Sequence, residues 1–121
     1  MIKTITLWGA LSLSLFAQNV FSSDKDGHYW IYGVGRQTCE TYLEARDTGD
    51  YSEISYKNWI SGYVTASNRS LENTYTLLGE TDFQGALDWI DSYCEKNVKN
   101  SIYMAVENMR AVYYRNRKKA R

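Results

Sequence analysis

Cys39 and Cys94 are the only cysteines in the chain, and the chemistry open to them is one disulfide or two buried reduced thiols. The single histidine, His28, lies beside Asp24, Asp26 and Gly27 near the N-terminal end. A Ser or Cys nucleophile needs a base positioned next to it, and a lone histidine among early carboxylates supports no triad. Asp24, Asp26 and Gly27 have the opening pattern of a calcium loop, but the further oxygen ligands and the closing Glu are missing, so a flexible N-terminus is expected. Gly33 and Gly35 make half of a dinucleotide signature without the third glycine or a βαβ setting, and read as turn residues. Asp82, Asp88 and Asp91 are the remaining candidates for paired carboxylates. Positions 82 and 88 bracket most of two helical turns, and 88 and 91 fall on the polar side of a helix, so the group reads as a solvated face. No catalytic, cofactor-binding or metal-ligating set is therefore expected, and no cofactor. Asn68, Arg69 and Ser70 form a glycosylation sequon, which matters only in a eukaryotic secretory pathway.

The compartment decides between the two cysteine readings. Residues 1–22 begin with one cation, Lys3, run through an apolar stretch from Ile5 to Phe16 and end in small and polar residues, the three-part pattern of a secretory signal peptide. The apolar run is too short for a membrane span, which takes about 20 residues. Removing it leaves residues 23–121, a length suited to one domain with a modest core. An exported chain meets an oxidising compartment, so a Cys39–Cys94 bond is expected. Closing so long a loop is worth about 4 kcal/mol on the chain-entropy estimate.

The elements that must carry these groups read as four helices, with no Pro anywhere. The first, Thr38 to Asp47, puts Cys39, Tyr42, Leu43 and the stem of Arg46 on one stripe and stops at Gly49, suited to a left-handed C-terminal position. Asp50 or Ser55 can cap the second, where Tyr56, Trp59, Ile60, Tyr63, Val64 and Ser67 recur at three- and four-residue spacing. Gly62 and Ala66 on that helix make a smooth patch that another backbone could approach, a candidate surface for a homodimer. Thr81 and Gln84 have capping-box spacing at the start of a third helix, with Phe83, Ala86, Leu87, Ile90 and Cys94 as its stripe. A linker, Asn97 to Asn100, leads to a fourth with Ile102, Ala105, Val106, Met109, Val112 and Tyr113. Asn73 to Glu80 extends the second helix or forms a loop, and His28 to Gly35 is a short strand or an extended arm. No second strand is strong enough to build a sheet. The expectation is a single all-α, four-helix domain over 23–121, with an extended N-terminal arm and a basic tail from about 115.

That tail holds Arg115, Arg117, Lys118, Lys119 and Arg121, while the rest of the exported portion is acidic. A solvated helix end whose cations complement the helix dipole accounts for it; weak contact with anionic lipid or an acidic partner is the alternative. Nucleic acid is not expected, because the acidic body would repel phosphate. Of eleven tyrosines, Tyr29, Tyr32, Tyr51, Tyr75, Tyr103 and Tyr114 fall off the apolar stripes. Their rings and hydroxyls suit a protein contact, or they simply cover the edges of the core.

With Cys39-Glu-Thr-Tyr-Leu43, Trp59-Ile-Ser-Gly62-Tyr63 and Trp89-Ile-Asp-Ser-Tyr-Cys94, the chain resembles small periplasmic helical proteins of the HdeA-like type over about Gly33 to Tyr113. It is similar in its small exported helical design to the Rap1a/Tai immunity proteins. The resemblance implies an HdeA-like four-helix domain, a disulfide from an early helix to a later one and a periplasmic location. It also implies a non-enzymatic role with a protein partner. In the acid-stress chaperone version the partners are unfolded clients, and fourteen carboxylates losing charge would leave cations whose repulsion loosens the fold. In the immunity version the partner is a cognate toxin delivered to the periplasm.

Overall fold

Short polar side chains start every helix. In the computed structural model, which describes residues 23–119, Thr38, Asp50, Asp82 and Ser101 each accept from a backbone N–H two or three residues on. Each satisfies a donor that the first helical turn leaves without a partner. They open α1 (Cys39–Thr48), α2 (Tyr51–Ser70), α3 (Phe83–Lys96) and α4 (Ile102–Tyr113). A 3-10 turn, Gly33–Arg36, precedes α1 and another, Tyr114–Asn116, follows α4. Residues 1–22, where a signal peptide is expected, and Arg121 of the tail lie outside the described residues.

Two local readings change. The cap of α3 is Asp82, whose Oδ1 accepts from Gly85 N at 2.8 Å, rather than Thr81. A carboxylate at that position complements the positive helix end better than a hydroxyl one residue earlier. Gln84 then turns along the helix and donates to Asp88 Oδ1 at 2.9 Å. Gly49 ends α1 in the left-handed region at φ 68°, as its position after the stripe predicts. His28 to Gly35 is an arm ending in the 3-10 turn, and among the described residues there is no strand, only two isolated bridges.

The stripes meet in one core. Cys39, Tyr42, Ala45, Tyr56, Ile60, Val64, Ala86, Leu87, Ile90, Cys94, Ile102, Ala105, Val106 and Met109 are all buried. Val112, in the last turn of α4, is exposed. α1 packs on α2 and α3, α3 packs on α4, and the first 3-10 turn lies between α2 and α4. Gly35 is buried there, and a Cβ on it would sit 2.1 Å from the Trp59 ring, so only glycine lets the backbone approach that indole.

The disulfide staples the first residue of α1 to the last turn of α3 across 55 residues, with both cysteines fully buried. The same corner is closed by backbone. Cys39 N donates to Asn100 O at 2.7 Å, Glu40 N to Val98 O at 3.0 Å and Ile102 N to Gln37 O at 2.9 Å. The backbone carbonyls of the linker thus satisfy donors at the start of α1. Such a bond belongs to an oxidising, extracytoplasmic compartment. Among the described residues no helix is long and apolar enough to cross a membrane.

The 73–80 segment is a loop that contributes Leu77 and Leu78 to the interior. Asn68 Oδ1 accepts from Leu77 N at 2.7 Å and holds the loop against α2.

Candidate functional site

Arg46 comes from the core stripe of α1, and a charge there requires a partner. The partner is Asp91 of α3, which takes a two-pronged contact, from Arg46 Nε at 3.0 Å and from NH2 at 2.7 Å. Tyr42, one turn before Arg46, donates its hydroxyl to Asp91 Oδ1 at 2.7 Å. Arg46 NH1 reaches across to Glu53 of α2 at 2.9 Å, and Lys57 closes on the same carboxylate at 2.7 Å. This cluster joins three helices. Asp91 is therefore no part of a solvated face: its side chain is only 25% exposed, against 19% for Arg46. Asp82 caps α3 and Asp88 is exposed, so the three aspartates form no catalytic pair.

The electrostatics fit a structural tie. Burial, then the bond to Asp91, raises the Tyr42 hydroxyl far above the ordinary phenol range, so it stays a donor. The bond to Asp91 likewise raises the Arg46 guanidinium. Lys57, and then Arg46, hold the Glu53 carboxyl below its usual value against the opposing effect of burial. A fourth tie runs from α2 to α4, where the Tyr63 hydroxyl donates to Glu107. Burial and that carboxylate push Tyr63 well above the usual range.

Around this last tie the aromatic side chains gather. Trp59 stacks on Tyr63 with ring centroids 6.1 Å apart, and its indole N–H donates to Tyr32 O at 2.8 Å. Tyr29 of the arm meets Tyr103 of α4 at 5.7 Å. Burial first, then Tyr29 and Glu107, raises the Tyr103 hydroxyl. Tyr63 and Tyr103 both lie against Glu107, so the two aromatic pairs are neighbours, and Tyr32 joins them through its backbone carbonyl; Trp59 and Tyr63, which the periodicity assigns to the core, are half-buried. Trp30 is 67% exposed and was signalled only by its place between two tyrosines.

The other three tyrosines lie elsewhere. Tyr51 is 88% exposed beside Ile54 at the start of α2. Tyr75 and Tyr114 flank the C-terminal tail. That tail docks instead of extending α4: Tyr75 N and Thr76 N donate to Lys118 O, and Lys118 N returns a bond to Thr76 O at 2.9 Å. Arg117 donates to Thr74 Oγ1 at 2.9 Å and lies 3.9 Å over the Tyr114 ring, and Lys118 pairs with Glu80. Gly79, at φ 63°, permits the docking, since a Cβ there would stand 2.3 Å from Asn116 O. Gly62 and Ala66 face away from the bundle, and a Cβ on Gly62 would meet nothing within 4 Å.

At the N-terminal end Asp24 Oδ1 accepts from Asp26 N at 2.9 Å and His28 N at 2.8 Å. The side chains of Asp24, Asp26 and His28 bring ligand-type atoms within 4.8 Å of one another, all exposed. Set against protein-family models, curated proteins and solved structures, the chain matches none of them.

Proposed function

We propose that this chain is an exported, non-enzymatic protein of the HdeA-like, acid-stress type that binds unfolded clients when the periplasm turns acid. One observation carries the reading: the side-chain ties of α1 to α2 and α3, and of α2 to α4, run through three carboxylates, Glu53, Asp91 and Glu107. Charge-assisted bonds of this kind need an ionised carboxylate, and protons compete for it in acid; Glu53, held below its usual value, gives way only below the ordinary carboxylate range. The disulfide does not respond to protons. Acid therefore loosens α2, with its buried Tyr56, Ile60 and Val64, while α1 and α3 stay stapled. The uncompensated cations of the body and tail then repel one another and keep the opened form apart.

The expected result is suppression of aggregation of an acid-denatured client by the oxidised mature protein at about pH 3, with no effect on the same client's thermal aggregation at about pH 7. Equal aggregation with and without the protein at low pH would refute the role.

An immunity role is the second reading, favoured by the neighbouring aromatic pairs, since rigid aromatic side chains bind a folded partner with little ordering cost. Capture of one stoichiometric toxin from an envelope extract at neutral pH would move the assignment to it.

A further inference from the structure

Arg36 is the last residue of the first 3-10 turn, exposed, in a body whose acidic residues outnumber its basic ones. Among the described residues its guanidinium makes no salt bridge and no hydrogen bond, in contrast to Arg46, Arg110 and Arg117. It is held instead 4.8 Å from the centre of the Trp30 ring. A stacked guanidinium keeps its planar edge free and oriented, and that fork matches a carboxylate in two-pronged fashion.

Beside it is a recess of about 460 Å³, lined by Trp30, Ile31, Tyr32, Gly33, Arg36 and Gln37. That volume falls within the range of ligand sites. Arg36 is the only charged side chain among the described residues of the lining, so the recess is locally cationic. The backbone N–H groups of Trp30, Ile31 and Tyr32 donate to nothing among the described residues, and the Gln37 side-chain amide adds further donors. An unmatched cation and aromatic walls thus lie together, and among the described residues of the lining there is no carboxylate.

We infer that this recess is a carboxylate-binding subsite, which takes an acidic side chain flanked by apolar residues from an extended segment of a protein partner. The carboxylate lies against the Arg36 fork, and the flanking apolar groups lie against Trp30 and Tyr32. The contact belongs to neutral pH, where such a carboxylate is charged, so it stands apart from the acid-dependent role and can fail without affecting it.

The test uses the oxidised mature protein and two acetylated, amidated hexapeptides, one alternating leucine and glutamate and the other leucine and glutamine. Binding is followed by tryptophan fluorescence and calorimetry at physiological ionic strength. The glutamate peptide is expected to bind at least about tenfold more tightly than its glutamine counterpart. Arg36→Ala should erase the difference without moving the thermal midpoint, because Arg36 ties no two elements together. Arg36→Lys should keep only a minor part of it, since an ammonium lacks the planar fork. Equal binding of the two peptides, no binding of either in the millimolar range, or an Arg36→Ala protein that binds like wild type would overturn the inference. Displacement of the glutamate peptide by an equal concentration of inorganic phosphate would also overturn it, in favour of an unselective anion site. Unchanged acid protection of a client by Arg36→Ala would confirm that the two activities are separate.

Discussion

Replacing Cys39 and Cys94 by serine together is expected to remove about 4 kcal/mol of stability, the chain-entropy value for a 55-residue separation. In a domain of this size that lowers the thermal midpoint by roughly 15–30 °C. The staple has this effect because it joins elements that the chain otherwise brings together only through the core. The backbone bonds from Cys39 and Glu40 to the 97–100 linker form on the same corner, so they too depend on α1 and α3 being held in register. Denaturant titration of the double variant, with reduced wild type as a second sample, checks the figure; the two should agree within about 1 kcal/mol. A loss below about 1 kcal/mol would mean that the helices are held without the bond.

The second large effect is at Asp91. Removing its carboxylate by Asp91→Ala leaves the Arg46 guanidinium and the Tyr42 hydroxyl half-buried without their acceptor, and breaking such a pair costs about 3 kcal/mol. Asp91→Asn keeps an acceptor for Tyr42 and loses the charge, so its cost should be about half as large. Combining Asp91→Ala with Tyr42→Phe should cost less than the two single changes added together, by about 1 kcal/mol, since the hydroxyl no longer needs a partner. Urea unfolding of the four proteins measures this, and strict additivity would mean that the Tyr42 bond contributes nothing.

The pH dependence follows the same groups. Glu53 and Asp50 are held below their usual values in the folded protein, Glu53 first by Lys57 and Asp50 first by the hydroxyl of Ser52. A carboxyl with a lowered folded value binds protons more readily when unfolded. Its contribution is thus full above the unfolded value, about 4.3 for Glu and about 3.9 for Asp, and disappears as pH falls through the lowered folded values. Stability is expected to decline from about pH 5 downward, and to decline again above about pH 10, where tyrosines of the unfolded chain ionise while Tyr42 and Tyr63 of the folded protein stay protonated.

Much of the architecture was legible because helices declare themselves by spacing. Ile60 and Val64, or Ala86, Ile90 and Cys94, recur at four-residue steps and are buried, and Gly49 marks the end of α1 by the one conformation it alone adopts cheaply. Long-range polar pairing was not legible. Asp91 follows a core isoleucine and looks solvated from its own helix; only the charged Arg46 on an apolar stripe hinted that a carboxylate must come from elsewhere. Leu77 and Leu78 carry no period, and their burial depends on Asn68 and on a tail that folds back over Gly79. Lying off the apolar stripes marks the six tyrosines as surface residues without placing them relative to one another. Tyr29 and Tyr103 meet ring to ring, and Tyr32 is tied to Trp59 through its backbone carbonyl.

Hydrogen exchange of the oxidised mature protein, read by peptide mass at about pH 3 and about pH 7, addresses the acid-opening mechanism most directly. After correction for the intrinsic pH dependence of exchange, peptides from 51–70 should lose protection in acid while those spanning 39–48 and 83–96 keep most of theirs. Retained protection of 51–70 at low pH, or equal loss in all four helices, would contradict it.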